Sequence, residues 1–186
     1  MRTKIKKLMS GSSVLAGSGD GRALLARLLA EVTEPANPEP MYLDFMGVEV
    51  ATASFLRDGP LAYRQMVRAR GSRIYPVIAN AVEKILDDLQ LLLTSRNDAI
   101  LCCDLPATGR PSNVRLVGNL DEKQLLTFQL VEKLREVNVA GLQNEAPSDP
   151  AKPTAWNNRL SALVDKGLIM EFARGRSKVF RFPLEA

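Results

Sequence analysis

With 186 residues, 46% of them hydrophobic and 25% charged, the chain is long enough for one medium domain or two small ones with buried cores. Its formal net charge of +4 permits contact with nucleic acid without requiring it. Histidine is absent, which removes histidine triads, imidazole acid–base chemistry and nearly all catalytic zinc sites, so composition points away from an enzyme and implies no cofactor.

In chain order, residues 1–22 have a basic start but no sustained apolar stretch of the kind a secretory signal carries. No run of about 18 apolar residues follows anywhere, so no membrane partner is expected. Residues 3–9 alternate polar and apolar side chains and are predicted as an edge strand whose lysines discourage edge-to-edge pairing. A stretch holding Gly11, Gly17, Gly19 and Gly21 leads to a helix over residues 22–32. There Leu24, Leu25, Leu28 and Leu29 recur at helical spacing and Asp20 is placed as the N-cap. Glycines before a helix can cradle phosphate. Neither Gly-Lys-Ser/Thr nor a complete G-x-G-x-x-G is present, so a loop with a cap is the simpler reading.

The proline-rich residues 34–40 cannot continue a helix. Residues 41–45 are predicted as an apolar strand, 46–51 as a loop, and 52–70 as a helix kinked or split at Gly59 and Pro60. Residues 73–79 read as a buried strand in which Pro76 would prefer an edge or a bulge. Asn80 is read as the cap of a helix through residue 94, with Val82, Ile85, Leu86, Leu89 and Leu92 or Leu93 inward. Residues 99–105 form another apolar strand. Its adjacent Cys102 and Cys103 point to opposite faces, which suits neither a disulfide nor a zinc site and implies a reducing cytoplasm. Residues 106–119 are predicted as a loop with room for a short strand at 114–117. Asp44, Asp87, Asp88 and Asp104 are carboxylates for which spacing alone shows no convergence on a metal. The alternation of strand and helix defines an α/β layer domain over residues 1–119.

Residues 120–186 have a different character. An amphipathic helix over 121–135 offers Leu125, Phe128, Leu130, Val131 and Leu134 to a core, and a shorter helix follows at 139–146. A proline-containing turn then leads to a helix over 154–166, opened by Pro153 and closed by Gly167. On it Trp156, Leu160, Leu163 and Val164 form one apolar stripe, which leaves Asn157, Asn158 and Ser161 on another face. Strands at 168–173 and 178–182 flank a basic tip around Gly175. From Pro150 to Phe182 seven basic residues face two acidic ones, so positive charge gathers in this tail.

The run from Thr154 to Ile169 resembles the recognition helix of bacterial winged-helix regulators, including the MarR type, with the helix, glycine and basic hairpin in the same order. This resemblance implies a mainly α winged helix-turn-helix domain over 120–186 that binds double-stranded DNA, functionally as a homodimer. The DNA-contacting set it implies is Thr154, Asn157, Asn158, Arg159 and Ser161 on the helix with Arg174, Arg176 and Lys178 on the wing. Asparagine can pair with adenine in the major groove, and wing cations can grip phosphate.

Residues 41–56 resemble a STAS-like group related to anti-sigma-factor antagonists, through Leu43, Asp44, Phe45, Gly47, Val48, Ser54 and Phe55. Gly19–Arg22 and the run from Val77 to Leu93 fit the same group. The resemblance implies a STAS-like mixed sheet with helices that docks a regulatory protein partner such as a kinase or anti-sigma-like factor. It also places Ser54 where better-known relatives carry a regulatory phosphoserine, although Thr52 and Phe55 stand where those have an acidic residue and a glycine. The expectation is a cytoplasmic, non-catalytic transcriptional regulator. The alternatives are an adaptor in a partner-switching pathway that does not bind DNA, and an enzyme that uses the glycine stretch to hold a nucleotide.

Overall fold

The computed structural model describes residues 1–108, 110–175 and 177–184. From the N-terminus come β1 (Arg2–Lys4), α1 (Ile5–Leu8), β2 (Val14–Leu15), α2 (Gly17–Glu31), β3 (Glu39–Asp44), β4 (Val50–Ala51) and α3 (Ala53–Leu56). A π-helical turn at Arg57–Leu61 joins α3 to α4 (Ala62–Ala69), and β5 (Ile74–Ala79), α5 (Glu83–Thr94), β6 (Ala99–Asp104) and β7 (Ser112–Gly118) follow. The chain is a mixed α/β protein. Its main sheet has the order β1-β3-β5-β6-β7, with the first four strands parallel and β7 antiparallel to β6.

Several local expectations are corrected by tertiary context. The first strand is at the edge, but it ends at Lys4 and gives way to α1, so Ile5 turns into the core. Helix α2 starts at Gly17 rather than Arg22. Asp20 lies inside its first turns, and its carboxylate accepts from the backbone N–H of Ala16 (3.2 Å). Of these glycines, Gly21 serves packing. A Cβ at Gly21 would stand 3.0 Å from the carbonyl oxygen of Phe55 and 3.1 Å from Cβ of Asp58, so α2 and the π-helical turn touch backbone to backbone. A Cβ at Gly59 would in turn stand 3.3 Å from Cα of Gly21, so the contact is close from both sides. The π-helical turn also contains Pro60, a usual cause of a break in the helical ladder.

Pro76 lies in a central strand, not an edge. Strand β6 pairs with β5 only at Ile78 and Ala79, so at Pro76 the strand is laddered on one side alone, the environment a proline tolerates. Asn80 is not a helix cap; Val82 is, and it lies exposed instead of facing the core. The stretch 46–51 hides β4, which pairs in parallel with β2.

The C-terminal third forms α6 (Glu122–Leu134), β8 (Glu136–Val137), α7 (Val139–Glu145), α8 (Pro153–Asp165), β9 (Met170–Arg174) and β10 (Ser177–Arg181). Asp121 caps α6 by accepting from Gln124 N–H (2.9 Å), and Asn138 caps α7 by accepting from Gly141 N–H (2.9 Å). Strands β8, β10 and β9 make a small antiparallel sheet.

Two hydrophobic cores lie on the two faces of the main sheet. Leu24, Leu28, Phe55, Ile85 and Leu89 from α2, α3 and α5 pack with Leu43, Ile78 and Cys102 on one face. On the other, Val77, Leu101 and Cys103 pack with Phe128, Leu142, Trp156, Leu160 and Phe180. The alternation of strand side chains thus sends Cys102 and Cys103 into different cores. The second core also crosses the junction near residue 119, so the C-terminal segment covers the sheet rather than hanging from it.

Candidate nucleic-acid interface

Helix α8 owes its orientation to its apolar stripe. Trp156, Leu160 and Leu163 are fully buried, and Thr154, Asn157, Asn158 and Ser161 consequently lie exposed. Asn157 turns its amide back to donate to the carbonyl of Pro153 (3.1 Å), the i to i−4 geometry of a helix surface. Lys152 stands at the N-cap position and is exposed. Helical spacing does not mark it, because a lysine before Pro153 contributes nothing to a helical pattern.

Arg159 is placed differently from its neighbours. Its guanidinium pairs with Asp149 (2.6 Å) and lies over the Trp156 ring, 4.6 Å from the centroid, with only 10% of its side chain exposed. The same pair holds the Asp149 carboxyl below its usual range, first through the Arg159 hydrogen bond and then through the Ala151 N–H. Arg159 is thus committed to fixing the turn before α8. The face of Trp156 is covered, and its indole Nε1 has no acceptor among the described residues.

On the hairpin, Arg174 and Lys178 are exposed, and Arg176 lies outside the described residues. Arg174 pairs with Glu136 (3.3 Å), which also receives Arg181, and Lys178 pairs with Glu171 (2.9 Å). Such exposed ion pairs each contribute roughly 0–1 kcal/mol and exchange readily for another anion.

The far end of α8 is clamped to the sheet by side chains from α4. Arg68 donates Nε to the carbonyl of Val164 (3.0 Å) and a terminal nitrogen to Ile74 (3.2 Å) and Ser72, and stacks 3.9 Å over the Tyr75 ring. Arg64, one turn earlier, donates to the carbonyl of Ala99 and pairs with Asp98. Lys166 closes the junction by donating to the carbonyl of Asn97 (2.9 Å). Cations at a helix C-terminus complement its free carbonyls and its dipole.

In the N-terminal half, Ser54 sits one position after the first residue of α3, half-buried, with Oγ 3.2 Å from Oγ1 of Thr52. Thr52 is the cap: its Oγ1 accepts from the N–H of Phe55 (3.4 Å) and of Gly17 (3.0 Å). Asp44 is fully buried and fully engaged, by Arg2 (2.9 Å), the Asn80 amide (2.7 Å) and the N–H of Met46 (3.0 Å). Asn80 adopts φ +55 there and also exchanges hydrogen bonds with the backbone of Leu105. Asp44 therefore ties β1, β3 and β5 together at one end of the sheet. Among the described residues no group of three or more His, Cys, Asp or Glu could hold a metal ion, and no helix is long and apolar enough to cross a membrane. Burial pushes the thiols of Cys102 and Cys103 up to about 12, followed by repulsion from Cys103 on the first and from Asp104 and Asp44 on the second.

Comparison of the chain with protein-family models, with curated proteins and with solved structures finds no match.

Proposed function

We propose that the chain is a cytoplasmic DNA-binding regulator. Its C-terminal third is read as a winged helix-turn-helix, and its N-terminal part as a STAS-like unit that receives a protein partner. One observation carries this reading. Helix α8 buries one face under the sheet and exposes Thr154, Asn157, Asn158 and Ser161 on another, directly before a hairpin bearing Arg174 and Lys178. The order helix, strand, helix, helix, hairpin from α6 to β10 is that of a winged helix.

In this reading the exposed asparagines read base edges, while Lys152 and the N-terminus of α8 meet phosphate. Arg159 supports the turn and contacts no base. A homodimer would place two such helices on adjacent half-sites. Binding of labelled duplex pools by fluorescence anisotropy across a salt series tests the reading. It requires affinity that falls steeply with salt, with a log–log slope of about −0.9 per phosphate contact. Absence of binding at low salt would remove it.

A second reading, an adaptor that contacts protein only, is favoured by one feature. The wing cations Arg174 and Lys178 are already held by Glu136 and Glu171. Salt-insensitive binding to a protein partner without DNA affinity would select it.

A further inference from the structure

Positive charge gathers at a second place, remote in sequence from α8. From Met1 to Arg27 six basic residues face one acidic residue, Asp20. The fold brings part of this set together at the outer edge of the main sheet, where β1 is the terminal strand and α1 follows it against α2. A cleft of about 650 Å³ opens there, bordered by Arg2, Lys4, Lys7, Leu8 and Arg27. Among the described residues its lining has one carboxylate, Glu31, and no aromatic ring.

These cations differ in what already holds them. Arg2 is committed, pairing with Asp44 (2.9 Å) and donating to the carbonyl of Pro106 (2.8 Å). Arg27 donates to the carbonyl of Leu8 from one terminal nitrogen and is otherwise exposed. Lys4 and Lys7 are exposed, and neither side chain has a hydrogen bond or an ion pair among the described residues. A lysine on an edge strand deters edge-to-edge pairing, which accounts for Lys4. Lys7 lies on α1 and Arg27 on α2, outside any strand, so that role does not account for them.

We propose that this cleft holds the phosphate backbone of duplex DNA, at a site separate from α8. Unpaired ammonium groups beside a guanidinium release counterions when they meet closely spaced phosphates. Lys4, Lys7 and Arg27 outweigh the single charge of Glu31. Concavity selects among polyanions, because a phosphodiester strand enters a cleft whereas a flat lipid surface meets only its rim. Without aromatic rings in the lining, single-stranded bases have nothing to stack on. Contacts to phosphate alone carry no sequence information, so binding here is independent of sequence. Helix α2 packs on the face of the sheet opposite α8, so a duplex held here is a different segment from the one proposed for α8. The inference does not rest on α8 binding DNA.

The test is lysine footprinting of the full chain. Acetylation by an N-hydroxysuccinimide ester at low salt is read residue by residue by mass spectrometry, with and without a random-sequence duplex. With duplex at about ten times its half-saturating concentration, modification of Lys4 and Lys7 is expected to slow about tenfold, while that of exposed Lys84 on α5 is unchanged. High salt should abolish the protection. The double variant Lys4→Gln, Lys7→Gln should keep the melting transition in place and flatten the log–log salt slope by about 2. An unchanged slope would overturn the proposal. So would protection of Lys152 and Lys178 alone, which leaves α8 as the interface. Protection of Lys4 and Lys7 alone supports the proposal and removes the reading of α8, and no protection anywhere overturns both. If phosphatidylserine vesicles protect Lys4 and Lys7 and the duplex does not, the site belongs to a lipid surface and the proposal falls.

Discussion

Replacing Arg68 by methionine is the most direct probe of how the two halves are joined. The side chain is buried, with 6% exposure, and its guanidinium serves the carbonyls of Val164, Ile74 and Ser72 while stacking on Tyr75. Hydrogen bonds from a charged donor contribute about 1.5–3 kcal/mol each in favourable cases. Three at the low end plus about 1 kcal/mol for the stack give about 5.5 kcal/mol gross. Relief of guanidinium desolvation and the apolar packing of methionine return part of that, so a net loss of about 3 kcal/mol is expected. For a chain of this size that is a fall in Tm of about 6–12 °C. Circular dichroism reports both halves, whereas the single tryptophan, buried on α8, reports the C-terminal segment. Because one core spans the junction, both signals should melt together in the natural chain. In Arg68→Met the fluorescence transition should move to lower temperature at least as far as the circular dichroism transition. A shift under about 2 °C would show that the clamp contributes little and refute the reasoning.

Gly21→Ala should destabilise by about 1–3 kcal/mol, because its Cβ would stand 3.0 Å from the Phe55 carbonyl with backbone on both sides; urea unfolding checks it. Gly19→Ala has open space around it and should raise stability by a few tenths to about 1 kcal/mol in the same assay. Cys102 and Cys103 should resist a thiol-specific reagent in the folded chain at neutral pH and react fast in urea, since burial keeps both protonated. The same thiols set an alkaline limit. Their folded-state values are raised from 9.0 to about 12, so the stability they contribute is whole below pH 9.0 and lost as pH rises toward 12. Tyr63, pushed up to about 12 by burial and then by Glu34, acts in the same direction. With no histidine in the chain, Tm measured through the neutral range should show no step attributable to imidazole.

The C-terminal third was readable because its boundaries are written in local chemistry. Asp121 and Asn138 cap their helices through their own side chains, Pro153 opens α8, and Gly167 turns with φ +77. The apolar stripe of α8 follows from spacing alone, and so does the outward face of Asn158. What stayed hidden depends on distant partners. The glycines before α2 read as a loop, yet Gly21 is required by a helix 34 or more residues later. Asn80 has the chemistry of a cap, but its amide is drawn to Asp44 on a neighbouring strand. Strands β2 and β4 are two residues each, too short to show a period. At the candidate interface, Arg159 has the charge of a DNA contact, and only its pairing with Asp149 reveals a supporting role. Glu136 likewise lies before the basic tail in sequence, and only the fold brings it from β8 to neutralise part of the wing.

The central claim is that α8 and its hairpin hold DNA, and salt-resolved binding of Asn158→Ala and of Arg174→Ala measures it most directly. Asn158→Ala should flatten discrimination among duplex sequences, by about 1–3 kcal/mol at one base pair, and leave the salt slope unchanged. Arg174→Ala should weaken all sequences alike and reduce the slope by about 1. If the natural chain shows no salt-dependent affinity for any duplex, or if both variants bind as it does, the interface lies elsewhere and the account is wrong.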